Sequence, residues 1–176
     1  ANVASNWLIA QKDGSRWGTE HESIVPYQSF RVCDGEVVLA ATTNQQFSTL
    51  CGVLELHTLP EDPRFESNAK RVANRDVLLP ILSEKLKTYA VKDLEDLLVK
   101  GGLVFAPVQK ISEVFKDEQV LHREMVQEVE HKTAGAIKVV GPHIKYSGTP
   151  STVKSAPPVL GQDNDQLEQL LYEWVG

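Results

Sequence analysis

Residues 27–40, Tyr-Gln-Ser-Phe-Arg-Val-Cys-Asp-Gly-Glu-Val-Val-Leu-Ala, predict a β-hairpin around which the rest of the chain can be placed. Two runs rich in aromatic and β-branched residues, which favour strands, flank Asp34-Gly35. This pair is a strong hairpin signal, because tight hairpin turns need a positive φ that glycine adopts easily. The second arm is apolar over residues 37–40, so we expect it to be covered on both faces.

Two segments after the hairpin have the apolar spacing of helices. The residues Thr42-Thr43-Asn44, with Asn44 as the cap, precede a helix expected over residues 45–55. Asn74-Arg75-Asp76 opens the next helix. Pro80 is tolerable only near a first turn, so the regular part of this helix is expected to begin later than its apolar pattern suggests.

A third helix is predicted over residues 92–100, with Gly101-Gly102 as its stop signal. A short buried strand should follow over Leu103–Val108. The remaining pattern consists of a helical segment over residues 1–12, a loop over 15–23, one or two short helices over 111–122, strands over 125–129 and 137–140, an irregular segment over 147–160 and a final helix over about 163–174.

Composition and charge argue against several classes of protein. The 176 residues carry a net charge of −6, so we expect no nucleic-acid partner, because phosphates require a basic surface. No apolar run has the length of a membrane span, and we expect no membrane partner. Cys33 and Cys51 are predicted to be buried free thiols. They lack the spacing of a zinc site, so no metal is expected.

The segment from Gly18 to Gln28, called here the site loop, is the candidate working surface. It concentrates a glycine, a histidine, two carboxylates, two hydroxyls, a tyrosine and an amide between a helical segment and the hairpin. Core packing alone does not explain this composition. We therefore treat the rest of the chain as the frame that holds the site loop.

Several short motifs occur along the chain in a characteristic order. They are Gly18-x-x-His21-x-Ser23-Ile24-Val25-Pro26-Tyr27-Gln28, Asn44-Gln45-Gln46-Phe47, Asp62-Pro63-Arg64-Phe65, Arg71-Val72-Ala73-Asn74-Arg75, Ser147-Gly148-Thr149-Pro150 and Pro157-Pro158-Val159-Leu160-Gly161. In this order they resemble the C-terminal part of the class III coenzyme A-transferases. The resemblance extends over nearly the whole chain.

The resemblance implies an α/β subunit with two domains and an interlocked homodimer. Residues 1–22 would be a linker from a large nucleotide-fold domain. Residues 23–122 would form a small α/β domain, built as α+β from the hairpin and helices, and residues 123–176 would return to the large domain. The catalytic aspartate of the family lies in the large domain, so no catalytic residue is assigned in this chain. The chain alone is expected to be inactive.

The implied reaction moves CoA between carboxylic acids, from succinyl-CoA to a dicarboxylate such as glutarate, through an aspartyl-CoA thioester. The expected partners are an acyl-CoA and a small carboxylic acid, and the CoA thioester is a substrate rather than a cofactor. The resemblance implies a mitochondrial location, with the cytoplasm as the alternative. A non-catalytic dimerisation or regulatory module and an α-methylacyl-CoA racemase remain alternative functions.

Four residues of the site loop are predicted to contact substrate. His21 could line a substrate carboxylate, or it could simply hydrogen-bond the backbone. Ser23, Tyr27 and Gln28 could donate hydrogen bonds to a dicarboxylate. Tyr27 and Gln28 could equally be strand residues facing a neighbour, and packing is the more favoured role for Tyr27. Outside the loop, Arg64, Arg71 and Arg75 are predicted to form ion pairs at the surface or between domains, and His131 to have a structural role.

Overall fold

A computed structural model describes residues 2–167, and the chain divides after Val108 into two compact units. The elements are α1 (Asn2–Ala10), β1 (Tyr27–Arg31), β2 (Glu36–Ala40), α2 (Asn44–Val53), a 3-10 turn (Leu59–Glu61), α3 (Asn68–Ala73), α4 (Arg75–Leu86), α5 (Val91–Lys100), β3 (Val104–Pro107), α6 (Ile111–Val114), α7 (Glu118–His122), β4 (Val126–His131) and β5 (Gly135–Val140). This mixture of helices and antiparallel strands confirms the predicted α/β class. The predicted final helix lies largely outside the described residues.

The hairpin forms the first two strands of an antiparallel sheet with the order β1-β2-β3. Val37 and Leu39 of the central strand are fully buried against the helices. On the other face Ala40 is buried but Val38 is only half-buried. The predicted cover on both faces of β2 is therefore complete at Ala40 and partial at Val38.

The connection between β1 and β2 differs from the predicted tight turn. The last strand pair is Arg31 with Glu36, and Gly35 does not have a positive φ. Asp34 instead accepts the backbone N–H of Val91 through Oδ1 at 2.8 Å, at the start of α5. A Cβ atom on Gly35 would lie 3.1 Å from Val91 Cγ2. The hairpin is confirmed. Its Asp-Gly pair contacts the start of α5 and does not form a left-handed turn.

Helix α2 is capped one residue earlier than predicted. Thr43 Oγ1 accepts the N–H of Gln46, and Gln46 Oε1 accepts the N–H of Thr43, which forms a capping box. Asn44 is the first helical residue, so its predicted role as the cap is wrong. Its side chain is free to accept a hydrogen bond from Arg71.

Helix α4 starts at Arg75 and continues through Pro80, so the expected later start is wrong. Proline cannot donate to the carbonyl of Asp76 one turn earlier. Pro80 lies on the exposed side, and the fully buried Leu78 and Leu82 hold the opposite side of the helix on the core. Packing of that apolar side outweighs the lost hydrogen bond.

The stop signal after α5 is confirmed in detail. Gly102 has φ +66°, its N–H donates to Val99, and the N–H of Leu103 donates to Leu98. This is a Schellman motif, in which a left-handed glycine satisfies the last carbonyls of a helix. The following strand is less buried than predicted, because Val104 faces solvent on an edge strand.

The core of the first unit contains one buried thiol, and one fully buried cation lies beside it. Its buried apolar residues are Val25, Phe30, Val32, Val37, Leu39, Ala41, Phe47, Leu50, Cys51, Leu54, Leu59, Phe65, Leu78, Leu82, Leu86, Leu94, Leu98 and Leu103. Arg71 is fully buried beside them. Cys51 is buried as predicted, whereas Cys33 is exposed in the hairpin connection, where that prediction is wrong.

The second unit contains the antiparallel pair β4–β5 and two short helices among its described residues. Val129, Ile137 and Val139 are only half-buried. His131 Nδ1 accepts the backbone N–H groups of Thr133 and Ala134 in the connecting turn. This geometry agrees with the structural role predicted for His131.

Candidate functional site

The site loop follows α1 and ends in the first two residues of β1, and its histidine is held in a defined orientation. The N–H of His21 donates to the carbonyl of Tyr27 at 2.9 Å, and its Nδ1 accepts the N–H of Ser23 at 3.1 Å. The His21 and Tyr27 rings stack, with centroids 5.3 Å apart. Because Nδ1 is an acceptor, the hydrogen-bond pattern assigns the proton of a neutral ring to Nε2. His21 is exposed, so it offers an N–H donor at the surface.

Three of the four predicted contact residues come together. The hydroxyl of Ser23 lies 3.5 Å from His21 Nδ1, and the Tyr27 ring, 37% exposed, stacks on the His21 ring. Gln28 is the next residue along β1, and successive strand side chains point to opposite faces. Gln28 therefore lies on the other side of the strand, where its Nε2 donates to the carbonyl of Ser29 at 3.4 Å.

Asn68, at the start of α3, holds the site loop by its backbone. Its Nδ2 donates to the carbonyl of Ser23 at 2.8 Å, and its Oδ1 accepts the N–H of Val25 at 3.1 Å. No role was predicted for Asn68 from the sequence. Its role was missed because Ser23 and Val25 lie more than forty positions earlier in the chain.

Arg75, at the start of α4, holds the preceding part of the loop. Nη1 pairs with Glu20 Oε2 at 3.1 Å, and Nη2 donates to the carbonyls of Glu22 and His21. The guanidinium also lies over the Trp17 ring, 4.3 Å from its centroid. The predicted ion pair is therefore present at Arg75. Its two carbonyl contacts were not predicted.

Arg71 is the largest departure from the predicted ion pairs. It is fully buried, and among the described residues it has no carboxylate partner. Nε donates to the carbonyl of Val25 at 2.8 Å, and Nη1 donates to Asn44 Oδ1 and to the carbonyl of Phe65 at 3.1 Å each. The cation also lies 4.5 Å from the centroid of Phe47. Burial lowers the pKa of Arg71, but guanidinium groups remain charged in proteins.

The remaining predicted arginine, Arg64, forms the expected surface pair with Asp62. Nη2 of Arg64 lies 2.7 Å from Asp62 Oδ2. Hydrogen bonds from Arg64 hold the pKa of the Asp62 carboxyl below its ordinary value. This pair lies outside the contacts that hold the site loop.

A groove runs along the site loop. One part is lined by Trp17, Glu20, His21 and Ser23 together with residues of α1. Within residues 2–167, the buried charged side chains are arginines and include no carboxylate. No three His, Cys, Asp or Glu side chains in that range converge as metal ligands. Exposed groups of the site loop, among them the His21 ring, can donate hydrogen bonds to a ligand.

Comparisons with known proteins agree with this fold and motif order. The family model described as CoA-transferase family III matches residues 1–164. Succinyl-CoA:glutarate CoA-transferase of Homo sapiens is 40% identical over 175 residues, which cover 98% of this chain and 40% of that protein. Succinyl-CoA:mesaconate CoA-transferase of Haloarcula hispanica is 32% identical, with 87% and 38% covered.

Solved structures share this fold. A CAIB/BAIF family protein from Brucella suis has a TM-score of 0.81 and 31% identity, with 97% of this chain and 44% of that chain covered. A protein of Mycobacterium tuberculosis, 22% identical, shares the fold with a TM-score of 0.72, with 93% and 43% covered.

The family model and the curated relatives place the chain in the class of CoA-transferases, and it belongs to family III. The chain spans about two fifths of the length of the curated relatives it matches. Among its described helices, none has the length and apolar character needed to cross a bilayer.

Proposed function

We propose that this chain is part of an enzyme that transfers CoA from succinyl-CoA to a dicarboxylate such as glutarate. The observation that carries the proposal is the 40% identity to a succinyl-CoA:glutarate CoA-transferase over nearly the whole chain. Relatives named for mesaconate and L-malate also act between succinyl-CoA and a dicarboxylic acid. The substrate class therefore rests on several relatives, whereas the choice of glutarate rests on the human and mouse enzymes.

In the proposed mechanism, the nucleophile is an aspartate outside this chain. Its carboxylate attacks the succinyl carbonyl, expels CoA as thiolate and forms a mixed anhydride. The thiolate then attacks the aspartyl carbonyl, which releases succinate and leaves an aspartyl-CoA thioester. The acceptor carboxylate reverses these two steps and leaves as the new CoA thioester. Support for this division of roles comes from the resemblance and from the coverage of the human relative, of which this chain matches 40%. The proposal needs no cofactor.

The site loop would form one wall of the acyl site. His21 Nε2–H, the Ser23 hydroxyl and the Tyr27 hydroxyl are the proposed donors to the distal carboxylate of the dicarboxylate. Hydrogen bonds to an ionised acceptor are stronger than neutral ones, so a few fixed donors give useful selectivity. Gln28 remains a predicted contact, approaching from the other face of β1.

The remaining assignments are also proposals. Residues 1–22 would link to a large domain, residues 23–122 would form the small domain, and residues 123–176 would return to the large domain of an interlocked homodimer. The mitochondrion is the proposed location, with the cytoplasm as the alternative. Support for all of these comes from the resemblance and from the shared coverage of longer relatives.

The test compares the complete enzyme with residues 1–176 alone. The complete enzyme should convert succinyl-CoA and glutarate to glutaryl-CoA and succinate, measured by chromatography, and the isolated chain should not. Turnover by the isolated chain would contradict the placement of the nucleophile. α-Proton exchange of an acyl-CoA in D₂O without CoA transfer would favour the racemase. Neither activity in the complete enzyme would favour a non-catalytic role.

A substitution tests whether the site loop lines the acyl site. His21→Ala in the complete enzyme should raise KM for glutarate about tenfold, because one charge-assisted hydrogen bond is worth roughly 1.5–3 kcal/mol. Arg64→Gln is the matched control, since Arg64 pairs with Asp62 away from the loop. Unchanged kcat and KM in His21→Ala would mean that this histidine only hydrogen-bonds the backbone and does not contact substrate.

A further inference from the structure

We propose that Asn68, Arg71 and Arg75 act together as positioning residues, called here the loop clamp, that aim His21 and Ser23 at the substrate. This inference rests on the proposed function, because it concerns the same acyl site. The clamp residues make no predicted substrate contact of their own. They act through the backbone of residues 21–25.

The first argument is where the clamp bonds fall. The three side chains hold the carbonyls of residues 21, 22, 23 and 25 and the N–H of residue 25. Backbone–backbone bonds join Glu20 to Trp17, His21 to Tyr27 and Ala41 to Pro26, and none involves residues 22–25 between those ends. The path between those ends is therefore fixed by side chains from α3 and α4.

The second argument is the geometry of Arg75. The side chain is only 10% exposed, and it meets a carboxylate, two carbonyls and the Trp17 ring at once. A planar guanidinium can satisfy such a set because its donors point in fixed directions. A lysine ammonium could keep the charge pair with Glu20, but it could not reproduce the carbonyl contacts together with the stacking.

The third argument is how backbone position controls the histidine ring. Nδ1 of His21 accepts from the N–H of Ser23, and the ring stacks on Tyr27. Movement of the backbone at residues 21–23 would break the Nδ1 contact, which fixes both ring direction and tautomer. Three of the four carbonyls held by the clamp belong to these same residues, and the fourth is that of Val25. Ring orientation and clamp contacts are thus coupled through a few backbone atoms.

The test uses the complete enzyme with Arg75→Gln and Arg75→Lys. Both should speed amide exchange in residues 19–26 and lower kcat/KM for glutarate about tenfold. Arg64→Gln, the matched control, should change both quantities less than twofold, since Arg64 makes no contact with the loop. Full activity in Arg75→Lys would show that charge alone suffices and would overturn the positioning role.

A double-mutant cycle separates positioning from general stability. In a His21→Ala background, Arg75→Gln should lower kcat/KM less than twofold, because the group it positions is gone. A further tenfold loss would overturn the proposal. If Arg75→Gln does not fold, Asn68→Ala carries the same cycle, since it removes two loop contacts from a half-buried position.

The two proposals fail in different ways. Amide exchange reports whether the clamp holds the loop, independently of turnover. Unchanged exchange in Arg75→Gln would overturn the clamp even if CoA transfer is confirmed. Faster exchange with unchanged kcat/KM would also overturn it, because the position of the loop would then have no effect on substrate binding or turnover. A wild-type enzyme that shows no CoA transfer would instead remove the proposed function.

Discussion

Arg71 is a cation that the fold stabilises with neutral acceptors and an aromatic ring. Burial of a charge is costly unless hydrogen bonds compensate, and Arg71 donates to two carbonyls and one amide oxygen. The Phe47 ring adds a cation–π contact. The acceptors come from Val25, Asn44 and Phe65, so one side chain joins the site loop, α2 and the segment before α3.

Arg71→Met should lower the free energy of unfolding by about 3 kcal/mol or more. The substitution removes the cation but leaves buried acceptors unpaired, and each such group costs roughly 1–3 kcal/mol. Urea denaturation provides the measurement. Lys70→Met is the control, because Lys70 is exposed on the same helix and surface changes are usually within about 0.5 kcal/mol. Equal midpoints for both variants would contradict this account of Arg71.

The two thiols should differ sharply in reactivity. Burial raises the pKa of Cys51 to about 12, so at pH 8 it stays protonated as well as enclosed. The thiolate is the reactive form, and Cys33 is exposed. Labelling with a thiol reagent at pH 8 should therefore modify one cysteine in the folded chain and two in denaturant. Cys33→Ser should abolish the fast reaction, and fast labelling of this variant would contradict the prediction.

At the scale of elements, α4 lacks one backbone hydrogen bond, at Pro80, that a substitution can restore. Pro80→Ala should stabilise the protein by about 1 kcal/mol, because alanine restores an N–H facing the carbonyl of Asp76 at an exposed position. The gain is reduced by the greater freedom of alanine in the unfolded chain. Thermal unfolding provides the measurement, with Glu84→Ala on the same helix as the control. A fall in stability would mean that Pro80 is favoured by packing.

Local signals in the sequence predicted most elements, because their causes lie within a few residues. Gly101-Gly102 ended α5 as expected, since the Schellman motif depends on adjacent backbone atoms. Pro80 misled the prediction because tertiary packing of Leu78 and Leu82 overrides the local penalty. Asp34-Gly35 predicted a hairpin correctly, but the reason was contact with a distant helix.

The candidate site was predictable only in part. The site loop drew attention by its composition, and three of its four proposed contacts cluster in the structure. The clamp could not be found from local patterns, because its bonds join residues more than forty positions apart. A single sequence contains no local signal that Asn68, Arg71 and Arg75 will bind the backbone of the site loop.

At the scale of the whole molecule, the two units differ in how they bury apolar side chains. The first unit has a continuous core that includes the three-stranded sheet. In the described part of the second unit, residues 109–167, the apolar strand residues are at most half-buried. A two-stranded sheet alone is marginal in water. Local stability should therefore be unequal along the chain.

Amide exchange should reveal this inequality. Amides of β2 should exchange at least about 100-fold more slowly than amides of β4, because regions with few buried apolar contacts open more easily. The measurement is native-state exchange followed by mass spectrometry on residues 1–176. β1 provides an internal comparison as a paired strand at the edge of the better-packed sheet. Equal protection of β2 and β4 would contradict the expected difference between the units.

The contact between Asp34 and Val91 has a consequence for the order of folding events. Ala90 occupies the cap position of α5 and has no side-chain acceptor, so the cap is supplied by a residue 57 positions from Val91. The first turn of α5 can be fixed only after that long chain segment has closed. A peptide of residues 88–102 should therefore begin its helix later than Val91, as NMR shifts would show. The hairpin thus acts as a template for the start of α5.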